Sequence, residues 1–187
     1  TLQGKGVTVE HVEETHVPHD AGAYNRSRRT AMNLASDNLD AIFDVHRDAV
    51  PAEVYTRDVD GRNLVQILMV IGRQNQNMSS NKSFAEGLKQ VADSRHPGLI
   101  KGILFTQGNY NQDLSPRSIL LEVGAHENSR QQAEQSIALF ADVVNTYLYA
   151  QQGQTGGGGI AAQSALKLLI ALVLAIFIYL LISAGSW

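Results

Sequence analysis

Short apolar runs alternate with polar, helix-forming stretches along the first 150 residues of the chain. Runs rich in β-branched and apolar residues predict strands. The predicted strands cover residues 7–11, 40–45, 53–58, 62–72, 101–105 and 118–123. Asp60-Gly61 lies between two of these runs and is the strongest hairpin signal in the chain.

Three stretches between the strands have helical character. Residues 24–36 carry helix formers with a basic face, and residues 84–94 follow the potential caps Asn81 and Ser83. The sequence Ser129-Arg-Gln-Gln132 is a capping box that opens a third helix. This alternation predicts an α/β domain in which helices flank a mostly parallel sheet.

The end of the chain has a different composition. Residues 165–184 are apolar on every side and contain one charge, Lys167. At about 1.5 Å per residue such a helix approaches the ~30 Å thickness of the bilayer core. A buried helix of a soluble domain is the alternative, but four consecutive glycines, 156–159, separate it from the rest. We therefore expect a domain over residues 1–150, a Gly/Gln-rich linker over 151–164 and a transmembrane helix over 165–184.

Composition excludes several classes of function. The 15 basic and 18 acidic side chains give a formal net charge of −3, which argues against nucleic acid as a partner. The chain has no cysteine, so disulfide scaffolds, thiolate zinc sites and cysteine nucleophiles are excluded. With 44% hydrophobic and 18% charged residues, disorder throughout is also excluded.

Polar groups that could do chemistry stand at the ends of two predicted strands. His46 ends one apolar run, and Glu122 directly follows Ile119-Leu-Leu. A neutral imidazole is a good zinc ligand, and a carboxylate beside a zinc-bound water can act as general base. A histidine in such a position is more often a hydrogen-bonded residue of the core than a metal ligand. A carboxylate in a central strand is costly to bury without a partner, which favours a functional role for Glu122.

Three segments together resemble the stage II sporulation protein P family, which are zinc-dependent N-acetylmuramoyl-L-alanine amidases of the amidase-3 type. These segments are HDAGAYNRSRRT (19–30), FDVHRDA (43–49) and GNYNQDLSPRSILLEVGAHENS (108–129). The resemblance runs in order across residues 6–150. It implies that His46 is a zinc ligand, that Glu122 is the catalytic glutamate and that Zn²⁺ is the cofactor.

The resemblance also implies a biological setting. The substrate would be peptidoglycan, cleaved between N-acetylmuramic acid and L-alanine during septal thinning and engulfment in sporulation. The protein would be anchored in the membrane on its extracytoplasmic face, at the sporulation septum. Stage II sporulation proteins D and M are the partners that the family implies.

Four further residues are candidates for substrate binding. Arg47 and Asp48 could orient His46 or contact substrate, or they could form a surface ion pair. Tyr110 and Asn111 lie in a polar, aromatic loop that suits a groove for sugar and peptide, although such loops are often only structural.

Two features depart from the family pattern. The family carries an earlier His-x-His…Glu motif that supplies further zinc ligands, and we expect this sequence to begin after it. His16 and His19 could replace those ligands, but their polar surroundings beside Pro18 favour a loop role. The C-terminal membrane span is the second departure, since family members usually have an N-terminal anchor.

Two other functions remain open from the sequence. A wall-binding or scaffold module without catalytic activity would explain the missing ligand motif. A zinc carboxypeptidase-like enzyme could share the layered architecture. However, the function of that class of enzyme does not require the block Tyr110-Asn-Gln-Asp-Leu-Ser115.

Overall fold

The computed structural model describes residues 1–18, 20–35 and 39–150. Residues 1–147 form one compact unit. The predicted linker over 151–164 and the predicted transmembrane helix over 165–184 lie outside the described residues. Within the described ranges, no helix is both long and apolar enough to cross a bilayer.

The described part of the chain contains six strands and three α-helices. The strands are β1 (Ile42–Asp48), β2 (Thr56–Val59), β3 (Arg62–Val65), β4 (Ile67–Gly72), β5 (Ile100–Thr106) and β6 (Ser118–Ala125). The helices are α1 (Ala23–Ala35), α2 (Met78–Arg95) and α3 (Arg130–Asn145). Short 3-10 turns cover Gln3–Lys5, Ala52–Val54 and Gln112–Leu114, and a π-helical turn covers Thr146–Ala150.

Four of these strands form the central sheet, in the order β1-β6-β4-β5. The pairs β1–β6 and β4–β5 are parallel, whereas β4 and β6 run antiparallel. The prediction of an α/β fold with a mostly parallel sheet is therefore confirmed, with one antiparallel pairing in its middle. Strands β2 and β3 form a separate antiparallel hairpin.

β6 is one of the two interior strands of this sheet, between β1 and β4. Ile119, Leu120 and Leu121 are each less than 5% exposed. An apolar run without alternation is what a strand covered on both faces requires, because neither set of side chains meets water. The buried position of β6 follows directly from its sequence.

Side chains of β1 face two different layers. The Phe43 ring meets Phe84 of α2 at 6.0 Å and Phe140 of α3 at 5.6 Å between centroids. Phe84 and Phe140 are each 3% exposed, and full burial of such a side chain contributes about 1.5–3 kcal/mol. Because side chains alternate along a strand, Asp44 and His46 point to the opposite face, where Tyr24 of α1 lies against them.

Two local signals in the sequence are confirmed in full. Ser129 and Gln132 form the predicted capping box: the Gln132 backbone N–H donates to the Ser129 hydroxyl, and the Gln132 side chain accepts from the Ser129 N–H. Asp60 and Gly61 both have positive φ, at 54° and 71°. A two-residue hairpin loop with both residues in this region matches the right-handed twist of its strands.

Several predicted elements differ from the structure: the run 53–58 begins as a 3-10 turn, and the run 62–72 is divided into β3 and β4. No strand covers residues 7–11, and Val9 is 40% exposed. In the described residues no backbone hydrogen bond joins this segment to a strand, so its alternating pattern lacks the partner that a strand needs. Helix α2 begins at Met78 rather than near residue 84, and the expected cap Asn81 is buried inside it, donating to the Ser115 carbonyl.

An ionic cluster ties the two outer helices to the first turn of the chain. Asp142 of α3 accepts from the Lys5 ammonium at 2.9 Å and from Arg95 Nε of α2 at 2.7 Å. The His96 imidazole lies 2.8 Å from Asp60 and 3.5 Å from Asp142. The hydrogen bond from Lys5, with a further contribution from Arg95, lowers the pKa of Asp142 to about 2.

We predict that Asp142→Asn lowers the free energy of unfolding at pH 7. A carboxylate whose pKa is depressed in the fold stabilises it above the ordinary value of 3.8, and this contribution is lost as the pH falls towards about 2. Because Lys5 and Arg95 are partly exposed, we expect about 1 kcal/mol. Urea unfolding between pH 2 and 7 should show the difference from the parent closing below pH 4.

The matched control is Glu134→Gln in the same helix. Glu134 pairs with Arg130 at 2.6 Å, but both side chains are well exposed. This variant should leave the free energy of unfolding close to that of the parent, because solvent screens the exposed pair. Equal losses in the two variants would show that the Asp142 cluster contributes no more than a surface ion pair.

Candidate active site

The pairing of β1 with β6 places the two principal candidates side by side. His46 and Glu122 are register partners in the parallel ladder. Partners in neighbouring strands point to the same face of a sheet, so the imidazole and the carboxylate share the face that carries α1. The structure thus brings together the two residues that the sequence placed at strand ends.

His46 is held by a carboxylate from its own strand. Its Nε2 lies 2.8 Å from Oδ1 of Asp44, two residues earlier on the same face. The Tyr24 ring is stacked on the imidazole, with 6.4 Å between centroids and an interplanar angle of 6°. The hydrogen bond to Asp44 raises the pKa of His46 and outweighs the opposing effect of burial.

Glu122 is a desolvated carboxylate without a full set of partners. Its Oε2 atom is buried and accepts no hydrogen bond from any residue that the structure describes. Burial raises the pKa of Glu122; His46 opposes this shift, and Asp48 and Asp44 add to it. A buried carboxylate oxygen that lacks a donor is costly, so this atom is suited to a group that arrives with substrate, water or a cation.

The neighbouring residues Arg47 and Asp48 are anchored within the protein. Arg47 donates to the Ala125 carbonyl and, at 2.7 Å, to the Asn128 carbonyl. The Asp48 carboxylate accepts from the hydroxyl of Tyr55, a fully buried residue, at 2.8 Å. These contacts fix the end of β1 beside Glu122, while substrate contacts for Arg47 and Asp48 stay a prediction.

The loop with Tyr110 and Asn111 forms one wall of the site. Both residues have φ of 54°, which turns the loop sharply. The Tyr110 ring meets the Tyr24 ring edge-on at 5.1 Å. The Asn111 amide donates to the Tyr24 carbonyl and the Ser27 hydroxyl, each at 3.2 Å. The loop therefore supports α1, and its contact with substrate stays a prediction.

A buried glutamine fixes this loop to the sheet. The Gln112 side chain is 1% exposed. Its amide oxygen accepts from the Gly72 N–H and its amide nitrogen donates to the Val70 carbonyl, both at 2.9 Å. A Cβ on Gly72 would collide with the Gly108 carbonyl, so the loop lies directly against the end of β4.

A cleft of about 570 Å³ opens beside His46. Its walls are the segment 10–17, helix α1 and strand β1, and His16 is among the lining residues. His19 lies outside the described residues, so a metal-binding role for the His16 and His19 pair stays untested. His126 directly follows the carboxyl end of β6, where its Nδ1 is 3.2 Å from the carbonyl of Asp48, the last residue of β1.

The sequence analysis missed Asp44, Tyr24 and Tyr55. Asp44 could have been found, because a residue two positions before His46 in a strand shares its face. Tyr24 and Tyr55 carried no such signal, since their contacts with the site join separate elements.

The described residues fit part of a zinc centre. With Nε2 of His46 bound to Asp44, its Nδ1 is left for a metal, as in carboxylate–histidine–zinc arrangements. The unpartnered oxygen of Glu122 also suits a nearby cation or its water. However, no group of three or more His, Asp or Glu side chains in the described ranges is placed to hold a metal ion.

Comparison with known proteins gives three matches. The family model for Stage II sporulation protein P (SpoIIP) matches residues 1–145. Stage II sporulation protein P of Bacillus subtilis (strain 168) is 30% identical over 154 residues, covering 75% of this chain and 38% of that protein. This chain thus spans well under half the length of that relative.

The third match is a solved structure, the catalytic domain of CwlV, an N-acetylmuramoyl-L-alanine amidase from Bacillus (Paenibacillus) polymyxa var. colistinus. It has a TM-score of 0.42 and 15% identity, and the match covers 67% of this chain and 65% of that one. A likeness at this level carries no argument about the site.

We predict that Glu122→Gln raises the free energy of unfolding at pH 7. The folded-state pKa of Glu122 is raised above 4.5, so its charge is unfavourable in the fold at higher pH. The amide removes that charge and should therefore stabilise the protein at pH 7. Below pH 4 the carboxyl is protonated in both states, and the gain should vanish.

Urea unfolding at pH 4 and pH 7 measures this difference. Glu86→Gln on α2 is the control, because Glu86 is an exposed residue 3.6 Å from Lys82. That variant should be neutral or slightly destabilising at pH 7. A loss of stability in Glu122→Gln at pH 7 would mean that the carboxylate has a favourable partner in the fold.

Proposed function

Because the chain belongs to the stage II sporulation protein P family, we propose that it is a peptidoglycan hydrolase of sporulation. The bond it cleaves is the amide between N-acetylmuramic acid and L-alanine, during septal thinning and engulfment. The observation that carries this proposal is the pairing of Glu122, desolvated and short of one partner, with His46 held by Asp44.

Zn²⁺ is the proposed cofactor. His46 would hold it through Nδ1, and the remaining ligands would come from outside the described residues. When bound, such an ion polarises the scissile carbonyl and makes water a stronger nucleophile at neutral pH.

The side chains of this chain would then perform the proton transfers. Glu122 would take the proton of the attacking water, and its raised pKa brings it closer to the range that favours a general base near neutral pH. It would then give that proton to the departing amine of L-alanine. Asp44 would keep the His46 ring in one orientation throughout.

Substrate would enter through the cleft beside His46. Tyr110 and Asn111 would contribute the wall that faces the sugar and peptide, and Arg47 with Asp48 would close the opposite end of the site. Residues 165–184 would anchor the protein in the membrane with residues 1–150 on the extracytoplasmic face of the septum. Stage II sporulation proteins D and M are the proposed partners, and nucleic acid is not one.

A wall-binding or scaffold role without catalysis is the second candidate. It is favoured by one observation, the lack of a three-ligand metal cluster among residues 1–18, 20–35 and 39–150. Such a module would bind peptidoglycan without cleaving it, so the two proposals differ in whether muropeptides are released.

Two variants of the intact gene product distinguish a zinc ligand, the role proposed for His46, from a general base, the role proposed for Glu122. We expect His46→Ala to lose both bound zinc and muropeptide release. Glu122→Gln should keep zinc and still bind peptidoglycan, but release muropeptides about 10²–10⁴-fold more slowly, because the amide cannot accept a proton. Metal analysis and chromatography of the products provide the two measurements.

Glu134→Gln, which alters an exposed pair on α3, is the control and should match the parent in both measurements. Cleavage by Glu122→Gln at near the parent rate would remove Glu122 as the base. Loss of zinc from this variant would instead identify Glu122 as a ligand. A parent protein that binds peptidoglycan and releases nothing would favour the scaffold role.

The proposed topology has its own test. If residues 165–184 span the membrane with the domain outside, protease added to intact spheroplasts should digest residues 1–150. A cytoplasmic protein measured in parallel should remain intact. Full protection of residues 1–150 would contradict the extracytoplasmic placement.

A further inference from the structure

Helix α1 contributes a residue to the site that the proposed chemistry has not used. We propose that Tyr24 is a positioning residue for His46, acting through Asp44, and that the Arg28–Asp113 pair sets its place. This inference rests on the proposed function only for its consequence in catalysis. The arrangement itself can be tested without substrate.

The Asp44 carboxylate is shared between two rings. Its Oδ1 bonds Nε2 of His46 at 2.8 Å, and its Oδ2 accepts a longer hydrogen bond of 3.4 Å from the Tyr24 hydroxyl. With one oxygen held by Tyr24, the carboxylate is restricted in its rotation. Asp44 therefore presents its other oxygen to the imidazole in one direction.

Tyr24 also restricts the His46 ring directly. The two rings are parallel to within 6°. Stacking limits rotation of the imidazole, and the bond to Asp44 selects which nitrogen carries the proton, because an ionised carboxylate only accepts. Nε2 is then the donor, and Nδ1 keeps its lone pair. The two contacts together present one nitrogen for a metal or for substrate.

The position of Tyr24 is set from the neighbouring loop. One turn further along α1, Arg28 forms a forked pair with Asp113, with N–O distances of 3.0 and 2.7 Å. Its Nη1 also donates to the Asn111 side chain at 3.1 Å. Such bidentate pairs fix direction as well as distance. The Arg28–Asp113 pair, which we call the Arg28–Asp113 clamp, thus holds Tyr24 from the side of the loop.

The two motifs involved are far apart in sequence. Tyr24 and Arg28 belong to the segment 19–30, and Asn111 and Asp113 belong to the segment 108–129. The proposed function gives no role to Tyr24, Arg28 or Asp113 of these segments. Their contact gives them one, which is to orient the imidazole.

The experiment is ¹⁵N NMR of the His46 ring in the 187-residue chain with labelled histidine, without metal and at one alkaline pH at which the ring is neutral in every variant. The parent should show one dominant tautomer, with widely separated shifts for Nδ1 and Nε2. Tyr24→Phe keeps the ring but loses the hydroxyl, so we expect the two shifts to move towards each other. Arg28→Lys, which keeps the charge and loses the fork, should give a smaller change in the same direction.

Tyr147→Phe is the matched control. Tyr147 packs against Phe84 of α2, on the other side of the sheet, so loss of its hydroxyl should leave the His46 shifts at their parent values. Unchanged shifts in Tyr24→Phe would overturn the proposal. Unchanged shifts in Arg28→Lys alone would overturn the role of the Arg28–Asp113 clamp.

The consequence for function is measured separately in the intact gene product. Loss of an outer partner of a metal-binding histidine typically costs about 10–100-fold in metal affinity. For Tyr24→Phe we expect a loss near the lower end, measured by competition with a zinc chelator, and unchanged affinity contradicts it. If the parent releases no muropeptides while the NMR result holds, the proposed function fails and the positioning role stands.

Discussion

The parallel ladder between β1 and β6 is the constraint on which the rest of the site depends. Its register sets His46 opposite Glu122, and a shift by one residue would send one of them to the face that carries α2 and α3. The apolar run of β6 holds this register, because its side chains are buried on both faces. Packing of Phe43 between Phe84 and Phe140 holds β1 in the same way.

A sheet that is mostly apolar places its few charged groups under strong mutual influence. Asp44 and Glu122 lie near the His46 imidazole, and burial together with Asp48 and Asp44 raises the pKa of Glu122. Each of the other polar groups has a specific partner: Asp44 has His46 and Tyr24, and Asp48 has Tyr55. Glu122 is the exception among these groups, since its buried Oε2 accepts no hydrogen bond from the described residues, which suits the role of general base that we propose for it.

The sequence predicted those parts of the fold that local signals determine. The strand at His46, the strand at Glu122, the Asp60-Gly61 turn and the Ser129 cap all follow from apolar runs or from turn and cap chemistry. The prediction of a strand over residues 7–11 was wrong, because an alternating pattern forms a strand only where another strand is available to pair with it. The antiparallel β4–β6 pairing was missed because the order of strands depends on tertiary packing, which no local pattern encodes. Tyr24 was missed for the same reason, since its contact with Asp44 joins a helix to a strand 20 residues away.

The Gln112 amide has a consequence for how this domain tolerates change. It occupies the place of a neighbouring strand at the end of β4, bonding one residue's carbonyl and the N–H two positions on. The loop that carries Tyr110 and Asn111 is therefore registered to the sheet as firmly as a strand would be. Insertions or deletions between β5 and residue 112 would shift that register and misplace the aromatic wall. Length variation in this protein should therefore accumulate elsewhere, for example at the β2–β3 hairpin.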